Sequence, residues 1–279
     1  LNKKHFSLLP NVDHICATHN LEKNAFSKGQ PEWGKELAED LLQVIEKHGA
    51  DKIAAFITEP LAGSTGVLVP PKGYLERIRE ICTQNDILLI FDEVITGFGR
   101  LGAPFAAQYF DVEPDMITCA KGLTSGTIPM GAVIVKKEIY DAYQDGDANS
   151  IDLFHGYTYS AHPMAAAALI SSLDVYTEDN LFERTNELAS YWEDALHSLK
   201  GTSHVIDIRN LGLVAGIEMS PREGSPGTRG YDVFTDGFHN HNLLLRITGD
   251  TLALSPPLIV EKDHIDQIID ILKKIIPTH

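Results

Sequence analysis

Residues 87–100 read ILLIFDEVITGFGR, and residues 115–121 read DMITCAK. Each contains a short apolar run without helical periodicity, the pattern of a strand buried on both faces of a parallel sheet. The first run ends on Asp92 and the second on Lys121. A carboxylate and a lysine delivered to strand ends are the feature around which the rest of the chain is read.

Upstream, IAAFIT (53–58) is a further buried strand. It leads into Glu59-Pro60, a loop with Gly63, Gly66, Pro70, Pro71 and Gly73, and a helix that turns Leu75, Ile78, Ile81 and Cys82 inward. Strand, helix, strand is the βαβ pattern, which predicts an α/β fold with a mostly parallel sheet covered on both faces. Ligands of such sheets collect at the carboxyl ends of the strands, where Glu59, Asp92 and Lys121 all fall. Residues 1–30 read as surface connection. Pro31 opens a predicted helix to about Lys47, with Leu37, Leu41, Leu42 and Ile45 on one face.

After Lys121 a small-residue loop precedes the strand AVIVK (132–136). A helix from Pro163 breaks near 178–180 and resumes to about Leu199. Residues 202–279 change to short strands (VIDIR, GLVAGIEM, LLLRI, TLALS) and an amphipathic helix with Ile265, Ile268, Ile269 and Leu272. The predicted division is a large domain over 1–165, connecting helices over 166–200 and a small α+β domain over 201–279.

The 279 residues carry 43% hydrophobic and 22% charged side chains, as an ordinary globular protein does. The net charge of −16 is spread along the chain, which argues against nucleic-acid or anionic-membrane partners. Cys16, Cys82 and Cys119 are odd in number and widely spaced, as in a reducing cytoplasm. No run approaches the roughly 20 apolar residues of a membrane span, and residues 1–10 lack the core of a signal peptide.

Two nucleotide-binding patterns fail on context. LLIFDE resembles a magnesium-holding Walker B strand, and Gly29 to Lys35 (GQPEWGK) matches its GxxxxGK partner. Glu36, however, stands where a Ser or Thr should bind the metal, no buried strand precedes the glycines, and Pro31 removes an amide donor. Gly97-Phe-Gly99-Arg-Leu-Gly102 matches GxGxxG but starts several residues past its strand, with Pro104 close behind. A glycine-rich turn accounts for it better. No metal site is expected.

Asp92 and Lys121 remain. A lysine between small residues (Cys119-Ala120-Lys121-Gly122) at the end of an apolar strand is expected to be buried, which would favour the neutral, nucleophilic amine needed for Schiff-base chemistry. The alternative is a buried Lys121–Asp92 ion pair without function, although buried pairs are poor stabilisers.

The stretches ITEPLAGSTGVLVPPKGYLERIREICTQNDILLIFDEVITGFGRLG, PDMITCAKGLTSGTIPMGAV and HGYTYSAHPMAAAA resemble, in order and spacing, the class III aminotransferases that use pyridoxal phosphate. NAFSKGQPEWG, VIDIRNLGLV and TGDTLALSPP bring the chain nearest to the ω-amino acid:pyruvate (β-alanine:pyruvate) branch. The resemblance implies fold type I, with 1–165 as the C-terminal portion of the large cofactor-binding domain. It implies that Lys121 carries pyridoxal phosphate as a Schiff base and shuttles a proton, and that Asp92 faces the pyridine nitrogen. Val94 would pack on a ring face, or simply in the core. Glu59 would lie near the cofactor. Thr158 would reach the cofactor phosphate of a neighbouring subunit in a homodimer, or be an ordinary strand residue. Arg246 would grip the substrate carboxylate. The amino donor would be an ω-amino acid such as β-alanine. Ser64 stands where many 2-oxoglutarate-using members have a glutamate, which implies pyruvate as acceptor.

Family members normally have well over a hundred residues before the position matching Leu1, including the loop that cups the cofactor phosphate. The sheet is therefore expected to be incomplete at its N-terminal side. A non-catalytic fragment, or half of a split enzyme acting in assembly, is the alternative to an active transaminase. Dialysis of the isolated chain against cofactor-free buffer is expected to strip pyridoxal phosphate; stoichiometric retention would show that another segment supplies the phosphate grip.

Overall fold

The apolar runs pair as the βαβ pattern requires. In the computed structural model, which describes residues 9–149, 151 and 153–279, β1 (Ala55–Thr58), β2 (Leu88–Asp92) and β3 (Met116–Ala120) lie side by side and parallel. β4 (Gly131–Val135) adds an antiparallel edge, with Met116 opposite Val135 and Ala120 opposite Gly131. The sheet order is β1-β2-β3-β4.

The crossover from β1 to β2 is α3 (Tyr74–Gln84), whose buried Leu75, Ile78, Ile81 and Cys82 face the sheet. Together with Leu41 of α2 (Asp40–His48), they form a core that includes Leu89 and Phe91 of β2. Cover on both faces is incomplete among the described residues. Ile57 of β1 is 61% exposed and Val133 of β4 is 63% exposed. β1 and β4 are the two outer strands of the described sheet.

The predicted helix from Pro31 starts later. Gly34 takes a left-handed conformation, a 3₁₀ turn covers Lys35–Glu39, and α2 begins at Asp40. Residues 9–30 are more than surface connection. α1 (Leu21–Asn24) is followed by Phe26, whose amide donates to Asp207 Oδ1 at 2.5 Å, and Lys28 bridges to Asn210.

Downstream, α4 (Ala106–Tyr109) and α5 (Lys137–Gln144) precede the long pair α6 (Pro163–Glu178) and α7 (Leu181–His197). The second sheet is antiparallel throughout, in the order β5-β6-β8-β7. Its strands are β5 (Val205–Leu211), β6 (Val214–Met219), β7 (Arg246–Thr248) and β8 (Thr251–Leu254). Helices α8 (Thr228–His241) and α9 (Lys262–Ile275) cover it, with Trp192 of α7 fully buried in the shared core. The sequence reading missed α8, whose stretch TRGYDVFTDGFHNH contains two poor helix formers, Gly230 and Gly237. No helix of the described residues is long and apolar enough to cross a membrane.

The GFGRLG turn joins the two halves. Arg100 donates through Nη1 to the carbonyls of Leu213 (2.9 Å) and Pro256 (2.6 Å), and its own carbonyl accepts from Leu213 N. A Cβ at Gly102 would collide with the Asn186 side chain, and the backbone there has φ +89°. Close approach to α7 requires glycine at this position. The glycines of this turn allow close packing.

An ion cluster ties residues 16–28 to β5 and β6. Arg209 Nη1 donates to Asp207 Oδ2 (2.5 Å) and Glu218 Oε2 (2.6 Å), with His19 Nε2 within 3.7 Å of both carboxylates. His19, Asp207 and Glu218 have the spacing of a cation site, but the guanidinium supplies the positive charge. His19 and Arg209 hold the Glu218 carboxyl down to about 2. An unfolded glutamate titrates near 4.5, so this stabilisation is complete above that pH and is lost as the pH falls toward 2. Melting temperature measured across this window is expected to fall more steeply for the native sequence than for Glu218→Gln; parallel curves would refute the assignment.

Candidate active site

Parallel pairing sets neighbouring strand ends side by side, about 4.8 Å apart. Glu59 follows the last residue of β1, Asp92 ends β2 and Lys121 follows β3, so three ionisable side chains meet at one edge. Their fields overlap at Glu59. Burial pushes its carboxyl up and the Asp92 charge adds to the rise, while the Gly63 amide, Lys121 and the Ser64 amide pull it down; the net direction is up.

Asp92 and Glu93 divide between two tasks because successive side chains leave a strand on opposite sides. Asp92 is half-buried at the edge, where its Oδ1 accepts from Val94 N at 3.1 Å. That bond orients the carboxylate and places Val94 beside it. Glu93 is fully buried and accepts from the amides of Ala106 (2.5 Å) and Ala107 (2.9 Å) and from Thr96 Oγ1 (2.9 Å). Burial pushes its carboxyl up, against the pull of these donors. It satisfies the first amides of α4 and closes the turn behind Asp92.

Lys121 does not meet the expectation of burial. The side chain is exposed, and no ion pair joins it to Asp92 among the described residues. The physical reason is position: β3 ends at Ala120, and Lys121 opens a 3₁₀ turn (Lys121–Thr124) on the surface edge of the sheet. Its backbone has φ 49°, the left-handed region that L-residues other than Gly, Asn and Asp seldom adopt. Such outliers gather at functional sites and persist only where the surroundings enforce them.

Tyr176 of α6 provides part of that enforcement. Its hydroxyl donates to the Gly122 carbonyl at 2.7 Å and lies 3.1 Å from Ser125 Oγ. Its ring stacks between Phe98 (6.0 Å) and Phe182 (5.5 Å). Nothing in the sequence around Tyr176, in the last turn of α6, signals this contact. Glu93 carried a signal, its alternation with Asp92 at the end of an apolar strand.

The other two candidates lie apart from this edge. Arg246 is exposed at the start of β7, and no hydrogen bond or ion pair joins it to Glu59, Asp92 or Lys121 among the described residues. Its strand does reach the loop after Glu59, where Thr248 Oγ1 donates to the Ser64 carbonyl at 2.8 Å. Thr158 lies in an exposed turn ahead of α6, and is not the strand residue offered as its alternative. The candidates that share this edge are therefore Glu59, Asp92 and Lys121, with the Val94 amide bonded to Asp92.

Residues 3–276 match the family described as aminotransferase class-III. The chain is 58% identical over 276 residues to an omega-aminotransferase of Caulobacter vibrioides, covering 99% of this chain and 63% of that protein. It is 47% identical over 277 residues to a beta-alanine--pyruvate aminotransferase of Pseudomonas aeruginosa, covering 96% and 60%. Thus it spans about three fifths of the length of these relatives.

Among solved structures, an engineered thermostable omega transaminase superposes with a TM-score of 0.87 at 31% identity, covering 99% of this chain and 62% of that one. An (S)-enantioselective omega-transaminase from Thermomicrobium roseum gives 0.81 at 34% identity, covering 87% and 55%. The mostly parallel first sheet with its smaller α+β companion is the fold type I arrangement. The chain belongs to the class III aminotransferase family of pyridoxal-phosphate-dependent enzymes.

Proposed function

We propose that this chain carries the lysine and aspartate of an aminotransferase site and serves the transfer of an amino group from an ω-amino acid such as β-alanine to pyruvate. The observation that carries the proposal is Lys121: an amine on left-handed backbone at a strand end, beside the strand that ends in Asp92.

The residues at this edge fit pyridoxal phosphate. A primary amine can hold an aldehyde carbon, and a half-buried carboxylate oriented by Val94 N can face a protonated ring nitrogen. When bound, the cofactor supplies an electron sink for the carbon that loses its proton. The chain's own groups do the rest. Lys121 would hold the cofactor through its amine and would move a proton through Nζ. Asp92 would face the ring nitrogen with its carboxylate. Val94 contributes an apolar surface to a ring face, and Glu59 supplies a nearby charge coupled to both groups.

Arg246 is the proposed carboxylate grip, since a guanidinium fork binds a carboxylate through two hydrogen bonds. Ser64 offers no charge to cover that arginine when a substrate lacks a second carboxylate, which supports pyruvate rather than 2-oxoglutarate. The name of the Pseudomonas aeruginosa relative supports the same pair of substrates. Thr158 sits among side chains that face outward: Phe154 is 89% and Tyr159 80% exposed. An aromatic surface of this kind fits an interface with a second copy, which would bring Thr158 to its neighbour's cofactor phosphate. Free thiols at Cys82 and Cys119 fit a reducing compartment such as the cytoplasm.

Incubation with pyridoxal phosphate, borohydride reduction and peptide mapping are expected to find the cofactor fixed on Lys121; identical labelling of Lys121→Ala would refute the catalytic assignment. In a matched assay, turnover with pyruvate is expected to exceed that with 2-oxoglutarate, and the reverse order would overturn the choice of acceptor.

A further inference from the structure

Arg209 lies in β5 and is 4% exposed. Its guanidinium faces two ways. Nη1 donates to Asp207 and Glu218, with His19 Nε2 at 3.4 Å. Nε and Nη2 donate away from that cluster, to the Gly66 carbonyl at 2.9 and 2.7 Å, and Nε also to the Val67 carbonyl at 3.0 Å. The carboxylates fix the charge, and the rest of the fork grips backbone of the loop that follows β1.

Gly216 lies opposite Arg209 on β6, and a Cβ there would stand 2.8 Å from the Gly66 carbonyl. A bare backbone at this point lets the loop lie flat on the second sheet. The loop is internally closed: the amides of Gly66 and Val67 donate to the Gly63 carbonyl, and Ala62 pairs with Leu68. At its base the Gly63 amide donates to Glu59 Oε2 at 2.9 Å, and near its tip the Ser64 carbonyl accepts from Thr248. One short loop thus touches the strand-end carboxylates at one end and the strand of Arg246 at the other.

We propose that Arg209 is a positioning residue: by gripping the Gly66 and Val67 carbonyls it locks the loop 59–68, holding Glu59 against Asp92 and Lys121 and Ser64 against β7. This rests on the assignment of Lys121 and Asp92 made above. A lysine keeps the charge but lacks the planar fork, so it cannot serve both carboxylates and both carbonyls at once.

The test uses the 279-residue chain as Arg209→Lys and, as a milder variant, Thr248→Val. Hydrogen exchange by mass spectrometry is read over residues 62–68 and over α9 as a distant control. Labelling of Lys121 by pyridoxal phosphate and borohydride is read as the concentration giving half-maximal modification. In Arg209→Lys, exchange over 62–68 is expected to rise by about tenfold with α9 unchanged, and the half-maximal concentration to rise by a comparable factor, on the order of tenfold. Thr248→Val is expected to move both in the same direction by less.

Unchanged loop exchange in Arg209→Lys overturns the proposal. An equal rise in α9 does so too, since Arg209 is then a general stabiliser. Faster loop exchange without a labelling change removes the link from loop to site. If Lys121 is not labelled in the unsubstituted chain, the assignment of Lys121 fails and this link falls with it, while loop exchange still decides whether Arg209 holds the loop.

Discussion

The parallel register of β1, β2 and β3 is the constraint on which the rest depends. Thr58 aligned with Phe91, and Asp92 with Thr118, set Glu59 level with Asp92, while β3 runs on past that level to Ala120 before Lys121. Parallel strands need crossovers, and crossovers leave the chain free to turn at each carboxyl end. Glu59, Asp92 and Lys121 come from positions up to 62 residues apart in sequence, and the parallel ladder brings them to the same edge of the sheet. A slip of one residue in β2 would exchange Asp92 and Glu93, sending the aligned carboxylate into the core and the capping carboxylate to the edge.

Much of this was legible in the residues. Continuous apolar runs ending in Asp and Lys marked the strands, the period of Leu75, Ile78 and Ile81 marked the crossover helix, and the change after Gly201 marked the second sheet. The contacts that enforce the site were not legible, because they join residues far apart in the chain. Tyr176 meets Gly122 across 54 positions, and Arg209 meets Gly66 across 143. Short-range patterns report which face a residue takes, not which distant carbonyl it meets. A faint signal for Arg209 was present: in VIDIR, Asp207 and Arg209 share one face of a strand, where two opposite charges two residues apart are drawn together.

The exposure of Lys121 is the most instructive departure. Small apolar neighbours in sequence suggested burial, but Ala120 and Gly122 are small for a different reason: the chain turns there through left-handed backbone. A Cβ at Gly122 would stand 2.8 Å from Phe98 Cβ, so the turn is packed from below while the lysine faces outward. Small residues beside a charged one can mark a tight backbone as readily as an apolar pocket.

The described residues do not enclose the Lys121 amine, so under the proposed assignment desolvation by them would not be the source of its reactivity. What the chain supplies is pre-organisation: a fixed backbone at Lys121, a carboxylate at Asp92 turned by Val94 N, and a second carboxylate at Glu59 tied through Gly63 to a closed loop. Fixed charges at strand ends need no reorganisation when a partner group arrives. The energetic demand falls on the contacts behind them, above all on Glu93, which is fully buried and held by three donors. A buried carboxylate persists only when such donors offset its lost hydration. Glu93 lies one residue from Asp92, and the turn that follows Asp92 closes around it.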